Sequence, residues 1–500
     1  MRKLVLAHDL GTSGNKACLY DTEGELLSSA FVPYETYYPA QGWAEQDPEE
    51  WWRAVCASSK AVISGAGAVP EELASISFSA QSSGCLPVDA QGRPLRRRAI
   101  IWMDTRSREE AEELARLLGR DTQYCITGNG LGASMLPSCK IMWMRRHEPE
   151  VYAAAFKFIG CKEYLIARMT GKVGITDYTE AQTSGLFSAL KRDYDERLLE
   201  AAGIPREKLC EPRDSTCCLG TVSAQAAREL GVSEKTLVVL GMMDNPSAAV
   251  GAGCFEDGVF VSSLGTAAWI ACIAPESFID PVYHVNSTYL GFGRYRSSVN
   301  SHTAGAALDW GIENLLGLSG ADKYDASTAL AERSEPGAHG LLYLPSFREG
   351  NCRYTDSRSS GALVGLKLEH NRADIARAMY EAFAYELRIC TDFFAGKGKR
   401  PKQIRLIGGG SKNPFLAQVI ADVLGVDIVT PQNSRHIGSA GAAGFAKLGA
   451  GIISGLEQLD SFVPARSFTP DRSKAALYDS RFGLYTAYYE AFMSLYSRMD

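Results

Sequence analysis

The stretch TLVVLGMMDNPSAAVGAG (residues 236–253) decides how the rest of the chain is read. It runs as a buried-strand pattern, breaks at Asp244 and continues as small residues compatible with a helix. A buried strand followed by a tight turn delivers its first polar side chain to the crevice outside the sheet's carboxyl edge, where open α/β sheets bind ligands. That makes Asp244 a candidate general base. The competing reading gives its carboxylate to the backbone N–H groups of the following helix, with Pro246 in the first turn.

At 500 residues the chain exceeds the roughly 250 to 300 residues at which one core stops growing, so two domains are expected, divided near Asp244. Hydrophobic residues make up 46% and charged residues 22%, the balance of a globular protein, and no apolar run approaches the ~20 residues that span a bilayer. The opening MRKLVLAHDL places Asp9 where a signal peptide needs an apolar core and reads as a first strand, so a cytoplasmic protein is expected. The 13 cysteines are scattered, without the spacing of a disulfide framework or zinc site, and are expected to be reduced. A formal charge of −6 argues against nucleic acid and anionic membrane as partners. The basic run at Arg96, Arg97 and Arg98 reads as a solvated turn.

Outward from residue 236, the first half opens as a meander, LVLAHD, KACLYD and a third strand from Glu25. Asp47 and Pro48 then start a helix, and ELASISFSA leads into Gln81-Ser82-Ser83-Gly84. A second hairpin turning at residues 90–92 is expected to run into AIIWMDTRS, followed by a charged helix. Beyond Gly258 a second meander repeats the first: Leu10-Gly11-Thr12 is echoed by Leu264-Gly265-Thr266. Strands and helices then alternate, as in largely parallel sheets buried under helices. In the tail, Tyr478, Phe482, Tyr485, Tyr489, Phe492 and Tyr496 fall on one helix face, expected to dock on the rest of the protein.

The turn at Asp9, Gly11, Thr12, Ser13 and Lys16 has glycines that expose backbone N–H groups, hydroxyls that add donors and a cation that supplies charge, so it can cradle phosphate. Asp9 beside it could hold magnesium through water. A facing hairpin at Gly265 and Thr266 would grip the same polyphosphate from the other side. Gly408, Gly409 and Gly410, between the strand QIRLI and a helix opening at Asn413, either admit a flat ligand or phosphate or form a plain turn.

In order, DLGTSGNK, GWAEQDPEEWW, SAQSSG with IIWMDTRS, TDYTEAQTSGLF, MMDNPSAAVGAG, SSLGTAAW and LIGGGSKNPFLAQVIADVLG resemble the FGGY carbohydrate kinases, and within them most closely the xylulokinases. The resemblance spans nearly the whole chain. It implies an α/β architecture of two duplicated actin-like, ribonuclease-H-like ATPase domains flanking a central cleft. Residues 1–245 are then expected to bind sugar and carry the first phosphate hairpin, residues 246–460 to bind ATP, and residues 461–500 to form a helix packing back on both. The implied reaction is transfer of the γ-phosphate of ATP, with Mg2+, to a terminal hydroxyl of a small sugar by a homodimer. By motif, Asp244 is the base with Asn245 adjoining; Asp9, Gly11, Thr12 and Lys16 form the first phosphate site and Gly265 and Thr266 the second. Gly408, Gly409, Gly410 and Asn413 meet adenosine, with Gly305 and Asp309 on its other side. Gln81, Ser82, Ser83 and Asp104 fall where the family contacts sugar, and Trp43 and Trp102 could lend it apolar faces.

The chain departs from the xylulokinase pattern twice. Ser82-Ser83 stands where xylulokinases carry Met-His, and FREGNC (347–352) replaces their Ser-Gly-Glu-Arg-Thr-Pro. Another ketose, a polyol or an aldonate is therefore an alternative acceptor to xylulose, and a non-catalytic sugar sensor an alternative function.

Overall fold

The computed structural model describes residues 2–496 and 498, apart from residues 131, 266, 302–303, 348–351, 355–357, 433 and 460–461. Two sheets dominate it. In the first, β1 (Leu4–Leu10), β2 (Gly14–Tyr20) and β3 (Leu26–Pro33) form an antiparallel meander. β4 (Leu73–Ala80) then lies parallel to β1, and β5 (Cys218–Thr221), β6 (Leu237–Val239) and β7 (Met242–Met243) complete the order β5-β6-β4-β1-β2-β3, with β7 beside the end of β4.

The second sheet repeats this plan. β8 (Val259–Leu264), β9 (Ala268–Ala274), β10 (Asn286–Gly291) and β11 (Arg294–Ser301) are followed by β12 (Gln403–Ile407), β13 (Asp427–Pro431) and β14 (Pro464–Phe468), in the order β10-β11-β9-β8-β12-β13-β14. β8 and β9 match β1 and β2, and β12 runs parallel to β8 as β4 does to β1. The Leu-Gly-Thr echo therefore marks equivalent hairpins, and the loops after Ala80 and after Ile407 leave equivalent strands.

Local chemistry sets the helices that matter here. α1 (Pro48–Gly65) starts where Asp47 accepts the Glu49 N–H and proline takes the first position. α2 (Tyr178–Thr183) is capped by Asp177, and α3 (Asp244–Gly251) follows β7 directly. α4 (Ala304–Asn314), α5 (Lys323–Ala331) and the largely buried α6 (Arg372–Gly396) cover one face of the second sheet. α7 (Pro414–Leu424) and α8 (Ile437–Gly449) follow, and α8 lies across β1 and β4 of the first sheet and against α3. In α9 (Ala475–Tyr496) the tyrosine stripe faces inward: Tyr478 donates to Glu381, and Tyr485 and Tyr489 both donate to Glu386 on α6.

The turn expected at residues 90–92 forms: Gly92 donates to the Asp89 carbonyl, and Asp89 and Leu95 donate across it to the carbonyls of Arg93 and Pro87. Its flanks also take partners distant in sequence, Leu86–Val88 pairing with Lys157–Ile159 and Ala99–Ile100 with Glu45–Gln46.

Candidate functional site

The carboxyl edge of the first sheet assembles the acids. Asp9, Ser79 and Met242 stand in one row across β1, β4 and β7, and Asp244 emerges two residues later. Met243 occupies the cap position of α3, and Asp244 opens the helix with its carboxylate on the N–H of its neighbour Asn245, 2.6 Å away. Burial pushes the Asp244 carboxyl up to about 6; the Asn245 N–H and Arg296 oppose that rise and Asp9 adds to it. The Asp9 carboxylate accepts from Ser79 Oγ at 2.7 Å and pairs with Lys16 Nζ at 3.3 Å, while Lys16 also donates to the Arg435 carbonyl, 2.8 Å away.

Asp244 and Asn245 line a cavity of about 320 Å³ between the two sheets. Thr12, Gln81, Ser82, Ser83 and Trp102 contribute its first-domain wall. Trp102 is fixed by an Nε1–H bond to Thr12 Oγ1 at 3.0 Å, so this cavity wall and the first hairpin are joined. Gln81 donates to Gln46, which donates in turn to the Thr12 carbonyl. Ser83 adopts φ 60°, unusual for a residue with a side chain, and is held there from behind. Its N–H donates to Glu180, and its carbonyl accepts from the buried Lys140 Nζ at 2.7 Å. The Ser83 Oγ is buried without a hydrogen-bond partner.

Two expected sugar contacts do not reach the cavity. Asp104 is fully buried, and its carboxylate is occupied by Arg106 and the Ala44 N–H. Trp43 packs under the Arg106 guanidinium, 3.7 Å from ring centroid to Cζ, and edge-on to Trp143. Both belong to the scaffold behind the wall.

Both hairpins close on a backbone bond from their glycine, spanning three residues in the first and two in the second. Gly11 donates to the Gly14 carbonyl and Gly265 to the Ala267 carbonyl, so both turns close tightly at the same sheet edge, with Ser13 exposed at the tip of the first. Thr266 lies outside the described residues. Gly408 and Gly410 are needed by the second hairpin itself: a Cβ on either would stand 2.8 Å from Leu264 atoms, and Gly408 has φ +83°. Gly409 faces open space. Asn413 caps α7 and donates to Thr328 Oγ1 at 2.8 Å; Thr328 donates to the Tyr324 carbonyl, and Tyr324 donates to Asp309 at 2.7 Å. One chain of bonds thus gathers Asn413 and Asp309, 104 positions apart, beside α4, whose first turn holds Gly305. Lys323 pairs with the same Asp309.

Reading by sequence missed the second-domain wall. Arg296, Ser298 and Asn300 on β11, Thr288 on β10 and Trp269 of β9 line the cavity; Gln182 of α2 in the first domain, also missed, lines it too. The signal was present: in RYRSSVNS every second residue from Arg296 faces one side of the sheet.

Two duplicated actin-like ATPase domains closing on a cavity with an acid at its floor define a sugar kinase. Residues 4–251 match the N-terminal domain, and residues 261–450 the C-terminal domain, of the FGGY family of carbohydrate kinases, and the chain belongs to that family. It is 29% identical over 496 residues to a xylulose kinase of Lactococcus lactis subsp. lactis, covering 97% of this chain and 96% of that one. It is 30% identical over 500 residues to a glycerol kinase of Coxiella burnetii, covering 96% of each. The crystal structure of a xylulose kinase from Rhodospirillum rubrum superposes with a TM-score of 0.91 at 27% identity, covering 99% of this chain and 100% of that one. Among the described residues no helix is long and apolar enough to cross a membrane.

Proposed function

We propose that this kinase transfers the γ-phosphate of ATP to a terminal hydroxyl of a small sugar in the cytoplasm, with a ketopentose such as xylulose as the first acceptor to test. The observation that carries the reading is Asp244, a carboxyl poised near neutrality at the floor of a cavity flanked by both phosphate hairpins. Asp244 takes the proton of the acceptor hydroxyl as that oxygen bonds to the γ-phosphorus and the bond to the ADP oxygen breaks. Residues 1–245 supply the sugar wall and the first hairpin; residues 246–460 supply the second hairpin and the adenosine edge at Gly408, Gly409, Gly410 and Asn413. Closure of the two halves would keep water from competing as acceptor.

Among the described residues no group of three or more His, Cys, Asp and Glu could hold a metal directly. A lone carboxylate at Asp9 beside a phosphate hairpin fits an ion that keeps its water and is shared with phosphates, as Mg2+ is. When bound, such an ion neutralises phosphate charge. A coupled ADP-release assay with Mg2+ and ATP against pentuloses, hexuloses, polyols and aldonates tests the reading; acceptor-stimulated release is expected, and release no greater than the sugar-free blank across the panel counts against it.

Two further expectations arise at this site. Because the base must be ionised and its carboxyl is held at about 6, kcat/KM is expected to rise about tenfold per pH unit below 6 and level off above it. A flat profile from pH 4.5 to 7.5 would exclude Asp244 as the titrating base. Replacing Ser82-Ser83 by Met-His is expected to shift the kcat/KM ratio of D-xylulose over the preferred acceptor at least tenfold toward D-xylulose, since sites that read hydroxyls discriminate strongly. An unchanged ratio removes the pair from acceptor choice.

A further inference from the structure

Asp244 and Arg296 are the two charged residues among the described residues that line the cavity; the remainder of its polar lining is amide and hydroxyl. Arg296 is 3% exposed. Its Nη1 donates to Ser298 Oγ at 3.0 Å, its guanidinium lies over the Trp269 ring at 4.5 Å, and its Nε–H is buried without a partner. The other buried arginine side chains among the described residues include Arg106, which pairs with Asp104 and Glu45, Arg377, which pairs with Glu381, and Arg405, which pairs with Glu256. Among the described residues no carboxylate comes within ion-pair distance of Arg296. Burial of an unpaired guanidinium is costly, and it is tolerated where a partner arrives from outside.

We infer that Arg296 is an oxyanion receptor in the acceptor cavity, binding either the carboxylate of a sugar acid or the phosphoryl group being transferred. This rests on the kinase reading for what happens to the bound group, but the binding stands by itself. A guanidinium presents a fixed fork of donors that matches two oxygens of one anion, and the Trp269 face holds that fork in orientation. β11 carries Asn300, Ser298 and Arg296 toward the cavity in that order away from the Gly265 hairpin, since Ser301 pairs opposite Ala268 and Arg296 opposite Ile273. The long side chain then returns to stack on Trp269, whose own partner across the ladder is Asn300. Arg296 thereby spans the interval between acceptor and phosphate ends, and its charge stands against that of Asp244 in an otherwise neutral pocket. For a sugar acid it would anchor the end remote from the reacting hydroxyl. For the phosphoryl group it would meet the charge spread over the equatorial oxygens during transfer.

The test measures affinities of the full chain at constant ionic strength, by calorimetry or Trp fluorescence. D-xylonate is compared with xylitol, D-gluconate with sorbitol, and D-xylulose 5-phosphate with D-xylulose. At least one anion is expected to bind roughly 10- to 100-fold tighter than its neutral partner, the range of a charge-assisted pair in a desolvated site. Arg296→Gln is expected to remove that gap, and Arg296→Lys to keep part of it. A gap for the acids assigns the receptor to a carboxylate; a gap for the phosphate alone assigns it to the phosphoryl group. Wild-type protein with no gap for any pair overturns the inference without recourse to variants, as does a gap that Arg296→Gln leaves intact. ADP release measured alongside separates the two readings: a gap without turnover sinks the kinase mechanism and keeps the receptor, and turnover without a gap does the reverse.

Discussion

Asp244→Asn is expected to lower kcat by roughly 10²- to 10⁴-fold, the contribution of a positioned general base, while the protein still binds sugar and ATP. The amide is nearly isosteric with the carboxylate and its oxygen can still accept the Asn245 N–H, so the start of α3 has no reason to move. What it cannot do is take a proton. It also removes a carboxyl whose ionised form is disfavoured by burial and by the nearby Asp9, so the melting temperature should hold or rise. The residual rate should come from positioning alone and lose its dependence on pH around 6. The measurement is kcat from ADP release together with calorimetric sugar binding. A variant within threefold of wild type in kcat would remove Asp244 from the chemistry, whereas loss of sugar binding together with rate would make Asp244 a binding group instead.

The strand, break and helix at 236–253 were legible because each is a local pattern; the duplication was legible in the Leu-Gly-Thr turn found twice, and the actin-like fold came from the resemblance to FGGY kinases. The glycines at 408–410 were placed correctly in the chain, but their physical reason is different from the one their composition suggests. Gly408 and Gly410 make room for Leu264 of the neighbouring strand, a contact 144 and 146 positions away, whereas a Cβ on Gly409 would meet nothing within 4 Å. Asp104 shows the opposite failure. A carboxylate near a strand end looks available in sequence, yet Arg106 two residues on closes over it and Ala44 completes the cage. Arg296 went unread since a charged residue in a strand ordinarily faces solvent; that β11 turns this face toward the cavity follows from β10 packing against α2 of the first domain, where Gln182 bonds to the backbone of Ser287 and Tyr289, which no local pattern reports.

The second large effect is expected at the helix crossing that joins the halves. Gly251 on α3 and Gly441 on α8 let the two helices touch: a Cβ on Gly441 would stand 2.1 Å from the Ser247 carbonyl oxygen, and one on Gly251 would stand 2.1 Å from that of Ile437. Backbone atoms on both sides cannot swing aside as a side-chain end could, so the helices must separate. Separation would also break the bond from Ser247 Oγ to the Gly438 carbonyl at 2.9 Å. Gly441→Ala, a change that ordinarily stabilises an exposed helix, is therefore expected to cost about 3 kcal/mol, at the upper end of overpacking, and to lower the melting temperature by roughly 6 to 12 °C. Activity should fall beyond what stability explains, because α3 begins at Asp244 and Gly438 lies against the Asp9 carboxylate, so the crossing sets the distance between the two acids. Gly396→Ala near the end of α6 is the control: its Cβ would meet nothing within 4 Å, and it is expected to gain about 0.4 to 1 kcal/mol. Equal melting temperatures for the two variants would mean that the helices can part at no cost, and that the crossing leaves the spacing of Asp9 and Asp244 to the sheet alone.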